Sequence, residues 1–353
     1  MTDIMSCLER AVKDQASDLF IVAGGAVNER CEGRIHAIDE EKLFPAQTEE
    51  MIRELYTMSK RSIDEYIAHG DDDFSFAVPK LARFRVNTYR QRGSMAAVIR
   101  TVSFDIPDWH ELHIPEEIIS LANVTSGLIL VTGTAGSGKS TTQACIIDQI
   151  NRTRNCHIIT LEDPIEYLHR NQKSIISQRE ITIDTPDYHS ALRACLRQSP
   201  DVILLGEMRD HETIRTAMTA AETGHLVIAT LHTSGAVSTI DRIVDTFQPT
   251  QQEQIRIQLS TVLHTIISQQ LLPDKDGNQV PAYEVMHMNS AISNLIRESK
   301  NHQIDNHISS GKAEGMFSMD QSIFSLWQNG IISKETALVA ADHPDQLRRR
   351  LDG

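Results

Sequence analysis

A chain of 353 residues is long enough for two or three domains. Its 40% hydrophobic and 23% charged residues are an ordinary globular balance, which excludes disordered, collagen-like and fibrous classes. With 34 Lys and Arg against 48 Asp and Glu the net charge is −14, which excludes binding nucleic acid or anionic membrane through bulk charge and leaves only a local basic patch for either. The five cysteines, at 7, 31, 145, 156 and 195, include no C-x-x-C pair. Neither a zinc ribbon nor a redox dithiol is signalled, and scattered cysteines fit a reducing cytosol. The N-terminus carries acids where a signal peptide has a basic start. No apolar run approaches the roughly 20 residues that cross a bilayer, so a cytoplasmic location is expected.

In chain order, the first hundred residues read as α+β. Ile4 to Val12 and Glu49 to Met58 have helical apolar spacing, and Leu19 to Ala23 and Arg83 to Tyr89 read as short strands. The polar, proline-containing stretch SFDIPDWHELHIP closes this region as a linker at 104–115, giving domains at 1–103 and 116–353. A helix at 116–124 then leads to the apolar run LILVT (128–132), a glycine-rich turn and a helix from 138. The runs HIITL (157–161), DVILLGE (201–207) and HLVIATL (225–231) are short and β-branched, with amphipathic stretches between them. Buried strands alternating with helices predict a mostly parallel sheet covered on both faces. After 251 the sequence reads as helical and polar to its end. Met286, Met288, Met316 and Met319 fit core filling better than a partner surface.

Gly133-Thr134-Ala135-Gly136-Ser137-Gly138-Lys139-Ser140 matches G-x-x-x-x-G-K-[ST] between a predicted strand and a predicted helix, the context a phosphate-binding loop requires. Glycines let backbone N–H groups surround phosphates, and the helix N-terminus adds partial positive charge. Lys139 is placed for the β- and γ-phosphates, Ser140 for Mg²⁺ and Thr141 for the α-phosphate. An ordinary glycine-rich turn is the competing reading.

Hydrolysis needs more than binding. Walker-type ATPases end the strand beside the loop strand in an acid. Here DVILLGE places Gly206 at the usual Mg²⁺-binding aspartate and leaves Glu207 to orient or deprotonate water. Pro164 stops a second strand just after Glu162 and Asp163, at the sheet edge where open α/β sheets bind ligands. Those two acids either hold Mg²⁺ waters or the lytic water, or cap the next helix. His232 follows a third buried strand at the same edge, as a γ-phosphate sensor or polar relay, or as a structural histidine. Arg83, Arg85, Arg90 and Arg92 cluster in an acidic chain, and period two puts Arg83 and Arg85 on one strand face. A guanidinium at the γ-phosphate aids phosphoryl transfer, whereas a solvated basic strand is the alternative.

Together GTAGSGKST, HIITLEDPIEYLH, DVILLGEMRDHETI and GHLVIATLHTSGAVSTIDRIVD resemble the Walker A, Asp, Walker B and His boxes of the secretion ATPase superfamily. Within it the chain is most similar to the type IV pilus retraction (twitching-motility) ATPases, the PilT group. ASDLFIVAGG, DFSFAVPKLARFRVNTYRQRG and AISNLIRESKNHQI resemble that group's N-terminal strand motif, arginine segment and C-terminal signature, so the likeness runs along nearly the whole chain. It implies a PAS-like α+β domain followed by a RecA-like P-loop ATPase domain with a helical C-terminal region. It also implies a homohexamer that uses ATP and Mg²⁺ to rotate one domain against the other. That motion withdraws pilin through an inner-membrane platform protein, at the cytoplasmic face and with no nucleic acid partner. The accessory retraction paralogues and the type II secretion or pilus assembly ATPases are the related alternatives. By motif, Glu207 is the catalytic glutamate, Glu162 and Asp163 the Asp-box acids, His232 the His-box histidine, and Arg83, Arg85 and Arg100 the phosphate contacts. Arg209 is placed to couple subunits. The sequence departs from the pattern at Thr134-Ala135, Phe20, Ala26-Val27 and Ser293.

Overall fold

The computed structural model describes residues 3–31, 33–102 and 106–352. The chain divides into two compact units, one of residues 1–105 with Glu166–Leu168, the other of Ile106–Ile165 and His169–Gly353. Residues 103–105, where the expected linker begins, lie outside the described residues. From 106 the stretch is part of the second unit, with Ile114 buried in its core and Trp109 and Leu112 packed against it.

In the first unit α1 (Ile4–Lys13), β1 (Asp18–Ile21), β2 (Asn28–Cys31) and β3 (Arg34–Ala37) precede α2 (Pro45–Ser59) and α3 (Asp64–His69). Strands β4 (Asp71–Val78), β5 (Ala82–Gln91) and β6 (Ser94–Val102) follow. The six strands form one antiparallel sheet in the order β3-β2-β1-β6-β5-β4. Period-two alternation in β5 sends Phe84 and Val86 into a core with Leu8 of α1 and Ile52 and Leu55 of α2. The same alternation puts Arg83 and Arg85 on the other face, where Arg85 pairs across to Arg100.

The second unit opens with α4 (Glu116–Ile119) and a 3₁₀ turn, then runs β7 (Gly127–Thr132), α5 (Lys139–Thr153), β8 (His157–Glu162), β9 (Ile175–Glu180) and α6 (Tyr188–Cys195). It continues through β10 (Val202–Leu205), α7 (His211–Glu222), β11 (Leu226–Leu231), α8 (Ala236–Asp245), α9 (Pro249–Val262), β12 (Leu263–Pro273), β13 (Gln279–His287) and α10 (Ser290–Arg297). Further helices extend to Asp352. The sheet order is β13-β12-β7-β11-β10-β8-β9, parallel except for the antiparallel edge pair β12–β13. Each central strand is apolar on both faces: Leu128 and Leu130 of β7 enter one core, Ile129 and Val131 the other. Met286, Met316 and Met319 are core residues and Met288 packs beside them.

Two expectations are corrected. The sequence after 251 is not helical throughout, because β12 and β13 add a hairpin to the sheet through the turn containing Asp276-Gly277, with Gly277 at φ 90°. That Asp-Gly pair was the available hairpin signal. The second correction concerns strand order: β10, which leads to Glu207, is not beside β7, because β11 lies between them.

Candidate active site

The phosphate loop is built against β12. A Cβ on Gly133, at φ 143°, would stand 2.2 Å from the Gln269 carbonyl oxygen and 2.6 Å from Ser137 Oγ. Only glycine admits both the backbone conformation and the close approach. Gln269 is buried, and its side-chain oxygen accepts from Thr142 Oγ1 at 2.8 Å, which ties the first turn of α5 to the same strand. Thr132, the residue before the loop, shares a 2.7 Å hydroxyl contact with Ser268 of β12. Lys139 is 8% exposed and donates to the carbonyls of Gly133 and Thr134 at 2.9 and 2.8 Å, so its ammonium is held across the loop. Ser137 Oγ is buried and has no hydrogen-bond partner. A glycine-lined cradle, a constrained ammonium and a buried hydroxyl open to a partner together fit a nucleotide's phosphates.

Beside the loop lies a cavity of about 230 Å³ lined by His113, Ile114, Thr141, Leu271, Pro281 and Tyr283, among others. Two of these come from the stretch read as a linker and three from the unforeseen hairpin. Its mixed lining suits an uncharged ring next to the phosphate site.

The acids converge because the parallel register brings the strand ends to one edge. Leu205 of β10 pairs with Leu161 of β8 and Ala229 of β11, and Leu231 of β11 pairs with Thr132 of β7. Glu162, Glu207, His232 and the phosphate loop therefore all leave the sheet on its C-terminal side. At about 4.8 Å per strand, two strand spacings put Glu207 about 10 Å across the edge from β7, within reach of a side chain and a bound phosphate. Glu207 is 8% exposed. Its carboxylate meets Arg209 at 2.5 Å through one oxygen and His232 Nε2 at 3.4 Å through the other. Glu162 accepts from Thr160 Oγ1 at 2.5 Å and from Gln178 Nε2 at 3.2 Å. Asp163 is exposed on the loop after β8, and no helix follows Pro164 for it to cap.

Sequence reasoning missed Tyr188, the first residue of α6. Its hydroxyl would lie 2.6 Å from a Cβ on Gly206, which is why glycine suits the position where an aspartate was expected. Burial pushes the phenol up, and the nearby carboxylates of Glu207, Asp163 and Glu162 push it further, so it stays a neutral donor among three acids. No motif flags Tyr188; its position follows from how α6 packs. The N-terminal arginines are brought together on their own sheet. Asp18 is buried and accepts from Arg100 Nε at 3.0 Å, with Arg30 at 3.6 Å. Ser293 of α10, one of the departures from the family pattern, donates from Oγ to the Ser260 carbonyl of α9 at 3.0 Å.

Residues 1–314 match the family described as type II/IV secretion system protein. The type IV pilus retraction ATPase PilT of Pseudomonas aeruginosa is 42% identical over 346 residues, 98% of this chain and all of that one. A twitching motility protein of Neisseria gonorrhoeae is 44% identical over 319 residues, 90% of this chain and 85% of that one. A crystal structure of the pilus retraction motor PilT with bound ADP superposes with a TM-score of 0.90 at 46% identity, covering 98% of this chain and 99% of that one.

Proposed function

This chain belongs to the type II/IV secretion system protein family, and on that premise we propose that it is the ATP-hydrolysing motor of type IV pilus retraction. The observation that carries the reading is Glu207, sunk at the sheet edge between Arg209 and His232 on the side where the phosphate loop opens. ATP binds with its phosphates in the loop from Gly133 to Ser140. Backbone N–H groups of Gly136, Ser137 and Gly138 surround the β-phosphate, Lys139 reaches the β- and γ-phosphates and Thr141 the α-phosphate. Thr134 and Ala135 form the exposed lip of the loop. Glu207 orients the lytic water and takes its proton, and the His232 contact relays the state of the γ-phosphate. Tyr188 steadies the water as a neutral donor. The hard oxygen set of Ser140, Glu162 and Asp163 fits Mg²⁺, which when bound neutralises charge on the β- and γ-phosphates. Arg83, Arg85 and Arg100 are assigned to the nucleotide phosphates, and Arg209 to coupling between subunits. The working form is a homohexameric ring at the cytoplasmic face of the inner membrane, where turnover draws pilin out through a platform protein. Among the described residues no helix is long and apolar enough to cross a membrane.

The test is ATP turnover and ADP affinity of the assembled protein and two variants. Glu207→Gln should lose at least about 100-fold in kcat while still binding ADP, since general-base catalysis contributes about that much or more. Lys139→Ala should lose binding itself. Turnover at the parental rate in either variant would show that the site is misassigned. Restoring twitching to cells that lack a retraction motor, with parent and not with Glu207→Gln, tests the pilus role.

A further inference from the structure

The strongest unassigned feature lies far in sequence from the phosphate loop, on the β2–β3 hairpin of the first unit. Glu29 and Cys31 are two residues apart on β2 and share a face, and His36 of β3 is the cross-strand partner of Glu29. The face is the one covered by helices: Glu29 also pairs with Leu19 of β1, a core residue, and Cys31 packs against the same core. One carboxylate oxygen, one thiol sulfur and one ring nitrogen from these three residues all lie within 4.8 Å of one another. Glu29 is 3% exposed and its Oε2 is buried with no hydrogen-bond partner. A buried carboxylate oxygen left unmatched loses its hydration without compensation, so the site as folded asks for a cation or a donor.

We propose that Glu29, Cys31 and His36 form a binding site for a zinc-class divalent cation that clips β2 to β3. The donor set selects the metal: thiolate and imidazole together favour zinc-like ions over Mg²⁺ or Ca²⁺. Bond lengths of about 2.0–2.3 Å place tetrahedral ligands about 3.3–3.6 Å apart, so from separations of at most 4.8 Å the three groups need to close by up to about 1.5 Å. His36 is exposed, so moving its ring does not disturb the core. Binding forms the metal–sulfur bond as the Cys31 thiol releases its proton to water, and His36 binds through a neutral ring nitrogen. Two anionic ligands and one dication then sum to zero, which suits a half-buried strand edge. Three protein ligands leave a fourth position for water. Nearby, Asp14 stands at the end of α1, its carbonyl 3.6 Å from Cys31 Sγ and its carboxylate bound by Arg10 at 3.2 Å. Burial first, and the Asp14 carboxylate after it, hold the Glu29 carboxyl above its ordinary range.

The experiment uses the full chain, stripped with chelator and kept in excess Mg²⁺ so that oxygen-only sites are filled, titrated with Co²⁺ and then displaced with Zn²⁺. The expected result is one equivalent with a thiolate-to-cobalt charge-transfer band in the near ultraviolet. Cys31→Ser should abolish the band, and Cys156→Ser should keep it. Glu29→Gln and His36→Ala should each weaken binding by at least about 10-fold, the loss usual even for residues that only support a ligand. Should Cys31→Ser fold poorly, the Zn²⁺-induced rise in melting temperature is compared between parent and His36→Ala, whose side chain is exposed. Absence of the band in the parent, its survival in Cys31→Ser, or an equal zinc-induced shift in His36→Ala overturns the site. The outcome is independent of the nucleotide reading.

Discussion

Glu284 sits on β13 beneath the start of α8, the helix that follows the His232 segment. Its Oε1 accepts from the Ala236 N–H at 2.8 Å. Burial lifts its carboxyl from 4.5 to about 7, with Asp342 and Asp305 pushing the same way and the N–H donors of Ala236 and Met319 opposing. The cavity it faces, about 500 Å³, is also lined by Asp320, His343 and Arg350. The folded chain thus holds this proton more tightly than the unfolded chain. Between pH 4.5 and 7 the folded state binds more protons, so stability falls as pH rises through that window and is flat outside it. At roughly 1.36 kcal/mol per tenfold in proton concentration, the full cost above pH 7 is about 3 kcal/mol. Glu284→Gln keeps an acceptor for Ala236 and cannot ionise. It should match the parent at pH 4.5 and exceed it by up to about 3 kcal/mol at pH 8, or about 6–12 °C for a unit of this size. Calorimetry of both proteins from pH 4.5 to 8 measures the difference, in the transition that ADP shifts. All other groups cancel between the two proteins. A pH-independent difference, or one that shrinks as pH rises, would refute the assignment of a buried, neutral Glu284.

Gly133→Ala should weaken ADP binding by at least about 100-fold and cost about 2–5 kcal/mol in stability, because its methyl meets the Gln269 carbonyl and its backbone is in a region alanine avoids. A fluorescent ADP titration and a melting curve check both; parental affinity would mean the loop does not rest on β12. Tyr188→Phe should lower kcat about 2- to 10-fold with ADP affinity unchanged, the worth of one hydrogen bond. An unchanged kcat would reduce Tyr188 to a packing residue. The same variant should make Gly206→Ala better tolerated, since it removes the oxygen that a Cβ would meet.

The sequence by itself determined the phosphate loop, the alternation of buried strands and helices, and the three strand ends that carry Glu162, Glu207 and His232. These are local signals: a glycine spacing, a β-branched run, a proline after two acids, each readable within a dozen residues. Tertiary structure alone decided that β11 separates β10 from β7, since strand order depends on which crossover packs, and no window of sequence records it. It also decided that the hairpin β12–β13 supplies Gln269 to the loop and Tyr283 to the neighbouring cavity, residues more than a hundred positions from the motif they serve. Tyr188 among the acids and the Glu29–Cys31–His36 group are of the same kind. Their meaning comes from packing and cross-strand register, which bring side chains into contact whatever their distance along the chain.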